Sequence, residues 1–153
     1  MLNRVGKALR IISDDTKKRV ATVIDTPTLF PDFNLELLKK IRLATKKIGT
    51  PRFGKVITNQ RITHQQSEII KSYGFQEEIV SSDVDIYVAI TALELCNSES
   101  IDVVTIGTTD INLLPVLSRI KLQKNVGLIS WEEAITPALE AVVDFIIYLD
   151  FLE

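Results

Sequence analysis

The sequence predicts an α/β fold: a mostly parallel central sheet flanked by helices in three α/β/α layers, entered through an N-terminal lead-in helix. Three observations carry this prediction. Short β-branched runs alternate with segments of helical spacing from Val20 to the C-terminus. The run Ile101–Ile106 is dominated by β-branched residues, as in a strand buried on both faces of a sheet. The chain has 153 residues, 46% of them hydrophobic and 25% charged, which suits one soluble core with little left for a second. The domain is therefore expected over 18–153, with 1–17 as an amphipathic helix and linker.

The elements follow in order. Leu2, Val5, Leu9 and Ile12 recur at helical spacing, with Arg4, Lys7 and Arg10 on the other side. The polar run SDDTKKR separates this segment from a first strand, Val20–Ile24, which ends at Asp25. Pro27, Pro31 and Asp32 mark a loop. Asn34 is the expected N-cap of a helix from Leu35 to about Ile48, closed by Gly49. A second strand spans Arg52–Asn59. A helix begins at Thr63 and closes at Gly74. Phe75–Val80 is a third strand, and Asp83–Asn97 is helical. After the strand at Ile101–Ile106 come Gly107-Thr-Thr-Asp110 and a helix over Leu113–Leu122. Two more strands, Val126–Ile129 and Phe145–Leu149, flank a short helix opened by Pro137.

Composition narrows the function. The net charge is −2, so a nucleic-acid site has to be a local patch rather than a basic coat. The single cysteine, Cys96, excludes a disulfide within the chain, fits a reducing cytoplasm, and reads as a packed thiol in ALELC. No apolar stretch reaches the length that crosses a bilayer, and the N-terminus lacks the pattern of a signal peptide, so no membrane role is expected. There is neither a G-x-x-x-x-G-K-[ST] nor a G-x-G-x-x-G motif, which disfavours P-loop and dinucleotide enzymes.

Open α/β sheets bind ligands outside the carboxyl ends of their strands. Asp25 ends the first strand, Asp83 and Asp85 start a helix after the third, and Asp110 opens the loop after the apolar strand. Three segments thus deliver carboxylates to one rim, a grouping that a divalent cation would neutralise. Oxygen-only ligands favour Mg²⁺, Mn²⁺ or Ca²⁺. Singly, each aspartate is a commonplace cap or turn residue. Lys39, Lys40, Arg42, Lys46 and Lys47, followed by Arg52, Lys55 and Arg61, form either a solvated face or a phosphate-tracking patch. Asn59, Gln60 and Arg61 lie just past a strand, within reach of a substrate. His64 reads as structural or exposed, and Trp131 as packed rather than base-stacking.

The segments VATVIDTPTLF, FGKVITNQ, SDVDIYVAITALELC, IDVVTIGTTDINLLPVL and EAVVDFIIYLD resemble, in order, the blocks of the NYN family, a PIN-like nuclease group. They are similar above all to its small archaeal branch of uncharacterised proteins. The likeness spans roughly Val20 to Asp150. It implies that Asp25, Asp85 and Asp110 hold one Mg²⁺ or Mn²⁺ and activate water against an RNA phosphate, making a metal-dependent ribonuclease. Thr28, Asp83 and Asn112 would support the site, and Lys55, Asn59 and Arg61 would bind substrate. The chain departs from the family's pattern at Thr28, where the asparagine of D-G-x-N is usual. Thr91 stands where a second helix acid often stands, and Asn112 replaces the second aspartate of D-S-D. These departures lower the charge and motivate an alternative, a non-catalytic NYN-like module that binds RNA or a protein partner. Either reading allows a homodimer through the C-terminal FIIYLDFLE segment or the lead-in helix.

Overall fold

The computed structural model describes residues 18–152; the expected lead-in helix lies outside them. Six strands form one sheet: β1 (Arg19–Asp25), β2 (Thr50–Thr58), β3 (Gln76–Ile79), β4 (Val103–Gly107), β5 (Asn125–Ser130) and β6 (Phe145–Tyr148). Their order is β3-β2-β1-β4-β5-β6, and every neighbouring pair is parallel. The helices between them are α1 (Thr26–Leu29), α2 (Glu36–Lys46), α3 (His64–Ser72), α4 (Val84–Cys96), α5 (Leu114–Lys121) and α6 (Pro137–Val142). Parallel strands need crossovers, and these helices supply them.

Both faces of the sheet are covered, which is why its central strands are apolar on both sides. On one face Ala21, Val23, Ile57, Val104, Ile106, Val126 and Leu128 meet α4, α5 and α6 through Val88, Ala92, Leu117, Ile120 and Leu139. On the other, Ile24, Val56, Ile129 and Ile147 meet α1, α2 and α3 through Leu29, Leu38, Ile41 and Ile70. The period-two alternation along β1 separates the two sets. Inside the sheet the Thr22 and Thr105 hydroxyls lie 2.7 Å apart, and Thr105 donates to the Ala21 carbonyl at 2.9 Å. Two polar side chains between strands are thereby satisfied.

Three details differ from the sequence reading. The segment after β1 is not all loop: Pro27 sits in the first turn of the four-residue helix α1, where its missing N–H costs nothing. Asn34 does not occupy the N-cap of α2; Leu35 does, and the Asn34 Oδ1 accepts from the Glu36 N–H at 3.1 Å from one residue further out. Gly49 is required by close approach rather than by a left-handed cap, because a Cβ there would lie 2.1 Å from the Lys18 carbonyl oxygen. Gly74, by contrast, does take a positive φ of 86° after α3. Thr63 begins α3 with a full capping box, exchanging bonds with Gln66.

Candidate functional site

The strand order places a switch point between β1 and β4. From there the chain winds outward in opposite directions, and the diverging crossovers leave a crevice at the carboxyl ends. Two turns meet in it: Asp25-Thr26-Pro27-Thr28 after β1, and Thr108-Thr109-Asp110 after β4. Asp25 pairs with Ile57 of β2, while Ile24 pairs with Gly107 of β4, so the two turns begin at one level.

Asp25 is only 1% exposed. Its Oδ2 accepts from the Thr108 hydroxyl at 2.7 Å and the Thr28 hydroxyl at 2.8 Å. The Thr28 Oγ1 also accepts from the Thr109 N–H at 3.2 Å, which ties the two turns together. Burial pushes the Asp25 carboxyl above its usual range; the hydroxyl bonds from Thr108 and Thr28 oppose that, and the negative fields of Asp110 and Asp85 add to it. Asp25 therefore lies within the fields of two acids that come from separate segments. Two more hydroxyls at this edge, Thr26 Oγ1 and Ser130 Oγ, are buried without a hydrogen-bond partner among the described residues.

Asp110 caps the 3₁₀ turn Ile111–Leu113, its Oδ1 accepting from the Asn112 N–H at 2.9 Å, and its own N–H donates to Thr108 Oγ1 at 3.0 Å. The capping role foreseen for Asp110 is real and occupies one carboxylate oxygen. Asp85 is not a cap. It sits in the first turn of α4, half-buried, where the helix dipole favours a negative charge. The N-cap position belongs to Asp83, which is exposed and left-handed at φ 56°; its carboxylate accepts from the neighbouring Ser82 hydroxyl at 3.1 Å, and its carbonyl accepts from the Ile86 N–H at 3.0 Å.

Other expected participants divide. Asn59 and Arg61 are exposed just beyond β2, beside Asp25's strand. Lys55 lies back along β2, level with Val23, and is bound to Glu78 at 2.9 Å, so the rim does not have it free. The basic helix α2 carries Lys46 and Lys47 toward the opposite edge of the sheet, close to Gly49 and the start of β1. Arg42 packs on Gly74. Thr91 is buried in α4, and the Asn112 side chain is exposed. His64 is exposed, 3.8 Å from Glu68. Trp131 is packed, its indole N–H donating to the Leu29 carbonyl at 2.9 Å, and Cys96 is a buried thiol.

Thr108 was not foreseen as a site residue. Its signal was available: a hydroxyl immediately after the central strand, two residues before the aspartate of that block. Two surface depressions lie elsewhere, at the amino ends of the strands, lined by Lys18, Cys96 and Lys124 or by Arg19 and Phe53. They hold no converging carboxylates of the rim.

As a donor set, the crevice offers carboxylate and hydroxyl oxygens, which suits a hard divalent cation. Among the described residues, however, no three acids stand close enough to form a closed cage. Mg²⁺ commonly keeps several waters and takes only one or two carboxylates, so an open site is compatible with this chemistry. The crevice is unsuited to a dinucleotide despite the shared strand order, because a buried carboxylate occupies the turn where a pyrophosphate would have to approach.

Comparison with known proteins gives a relative and a fold. No family profile matches the chain. It is 32% identical over 131 residues to an uncharacterised protein of Methanocaldococcus jannaschii, a match covering 84% of this chain and 54% of that protein. The chain thus spans about half the length of that relative. A crystal structure of a protein of unknown function from Vibrio parahaemolyticus superposes with a TM-score of 0.74 at 16% identity, covering 91% of this chain and 98% of the other. That likeness establishes the α/β fold. No helix among the described residues is long and apolar enough to cross a membrane.

Proposed function

We propose that the protein is a NYN-type, PIN-like ribonuclease that hydrolyses RNA phosphodiester bonds with Mg²⁺ or Mn²⁺ held at Asp25, Asp85 and Asp110. The observation that carries this reading is Asp25 itself, a carboxylate 1% exposed at the sheet's switch point, under the fields of Asp110 and Asp85. A buried acid among like charges is costly to maintain for structure alone and is characteristic of sites that use the charge. A bound divalent ion would supply charge neutralisation and an acidified water. The chain's own part is to hold the Asp25 carboxylate in place through Thr28 and Thr108 and to carry Asp85 and Asp110 on separate elements around it. Arg61 and Asn59 would meet the phosphate backbone on the β2 side.

The second reading, a binding module without turnover, is favoured by the absence of a closed three-acid group among the described residues and by Thr28, Thr91 and Asn112 at positions where acids or an asparagine were expected. One assay separates them. Single-stranded RNA is incubated with the purified protein and Mn²⁺, wild type beside Asp110→Asn. The nuclease reading expects cleavage by wild type and a loss of at least about a hundredfold in the variant, with unchanged circular dichroism. RNA retention without cleavage by either protein would favour the module.

A further inference from the structure

We propose that residues 2–12 of this chain dock along the outer face of α4, so that its own N-terminal segment covers the apolar stripe that α4 presents.

α4 is apolar on both of its faces. Its inner side, with Val84, Val88, Ala92 and Leu95, packs on the sheet. Its outer side carries Ile86 at 53% exposure, Tyr87 at 41% and Ile90 at 48%, followed by Glu94. On a helical wheel these four share one stripe. A helix apolar all round is ordinarily covered all round. This one is covered on its inner side by the described residues, while its outer stripe stays exposed.

Charge identifies the occupant. From Val80 to Ser100 the chain holds Asp83, Asp85, Glu94 and Glu99 and no lysine or arginine. A second copy of the same face would set acids against acids. The first twelve residues are the complement: Leu2, Val5, Leu9 and Ile12 at helical spacing, with Arg4, Lys7 and Arg10 and no acid.

Chain geometry permits the docking. β1 begins at the amino edge of the sheet, and Lys18 borders the same depression as Cys96 and Asn97 at the end of α4. Arg19 borders another with Leu95. The five residues 13–17 can span about 17 Å when extended. As a helix, these eleven residues would measure about 16 Å, against the roughly 20 Å of the thirteen-residue α4. Running back from Lys18, the segment would lie parallel to α4, with Arg10 toward Glu94 and Arg4 toward Asp83.

The test uses isotope-labelled full-length protein and compares backbone amide spectra of wild type with Leu9→Asp and with the pair Arg4→Glu and Arg10→Glu. All substitutions lie outside the domain core, so folding is preserved. The proposal expects the amide signals of Ile86, Tyr87, Ile90 and Glu94 to move in both variants while the protein stays monomeric by sedimentation. Adding Glu94→Lys to the charge-reversed pair should return the signals toward their original positions. Changes confined to residues 1–18 would overturn the proposal. So would a wild-type dimer that Leu9→Asp dissociates, which would assign the face to a second copy.

Discussion

Asp25 is a carboxylate with almost no access to water, held by two threonine hydroxyls and faced by two further acids. Because its folded pKa lies above the usual carboxyl value, the folded protein binds this proton more tightly than the unfolded chain does. The ionised group therefore costs stability at neutral pH. That cost is relieved as pH falls through the folded pKa, and it is gone below the unfolded carboxyl value of about 3.9. Asp25→Asn can place its amide oxygen where Oδ2 accepts from Thr28 and Thr108. It should stabilise the protein by about 1 kcal/mol at pH 7, an upward shift of a few degrees in melting temperature, with the advantage shrinking in acid. Thermal unfolding of both proteins from pH 4 to pH 8 checks this. A variant less stable than wild type throughout would show that the carboxylate is structural.

At the scale of elements, the site depends on how closely the turn after β1 lies against the end of β4. Gly107 makes this approach possible: a Cβ there would fall 2.7 Å from Leu29 Cδ2 and 2.8 Å from Ile24 Cδ1, both fully buried side chains. Gly107→Ala should push α1 away from the Thr108-Thr109-Asp110 turn, at a cost of about 1–2 kcal/mol read by denaturant unfolding. It should also weaken any metal binding, while an alanine at the exposed Lys39 position should do neither. The elements were readable from the sequence because their signals are local: β-branched runs for the strands, and Thr63 for the start of α3. What local signals missed had long-range causes. Gly49 looked like a helix terminator, but its reason is the Lys18 carbonyl, which no local pattern reveals. The Lys55–Glu78 ion pair likewise arises only from the β2–β3 pairing.

At the scale of the fold, the six parallel strands of the described residues, in the order β3-β2-β1-β4-β5-β6, collect the ends of β1 and β4 at one switch point, with the amino terminus of α4 within electrostatic reach of Asp25. The aspartates were legible as residues following strands and expected on one rim, and the sheet order brings Asp25 under the fields of Asp85 and Asp110. Thr108 escaped notice because a hydroxyl acquires its role only when the Asp25 carboxylate is brought beside it. Metal binding by these aspartates is measured most directly by a calorimetric titration of Mn²⁺ into wild type, Asp25→Asn and Asp110→Asn. A metal held at the rim requires one ion bound by wild type and an affinity at least about tenfold lower in each variant, a loss of about 1.4 kcal/mol or more. Equal binding by all three proteins, or none by wild type, would contradict it.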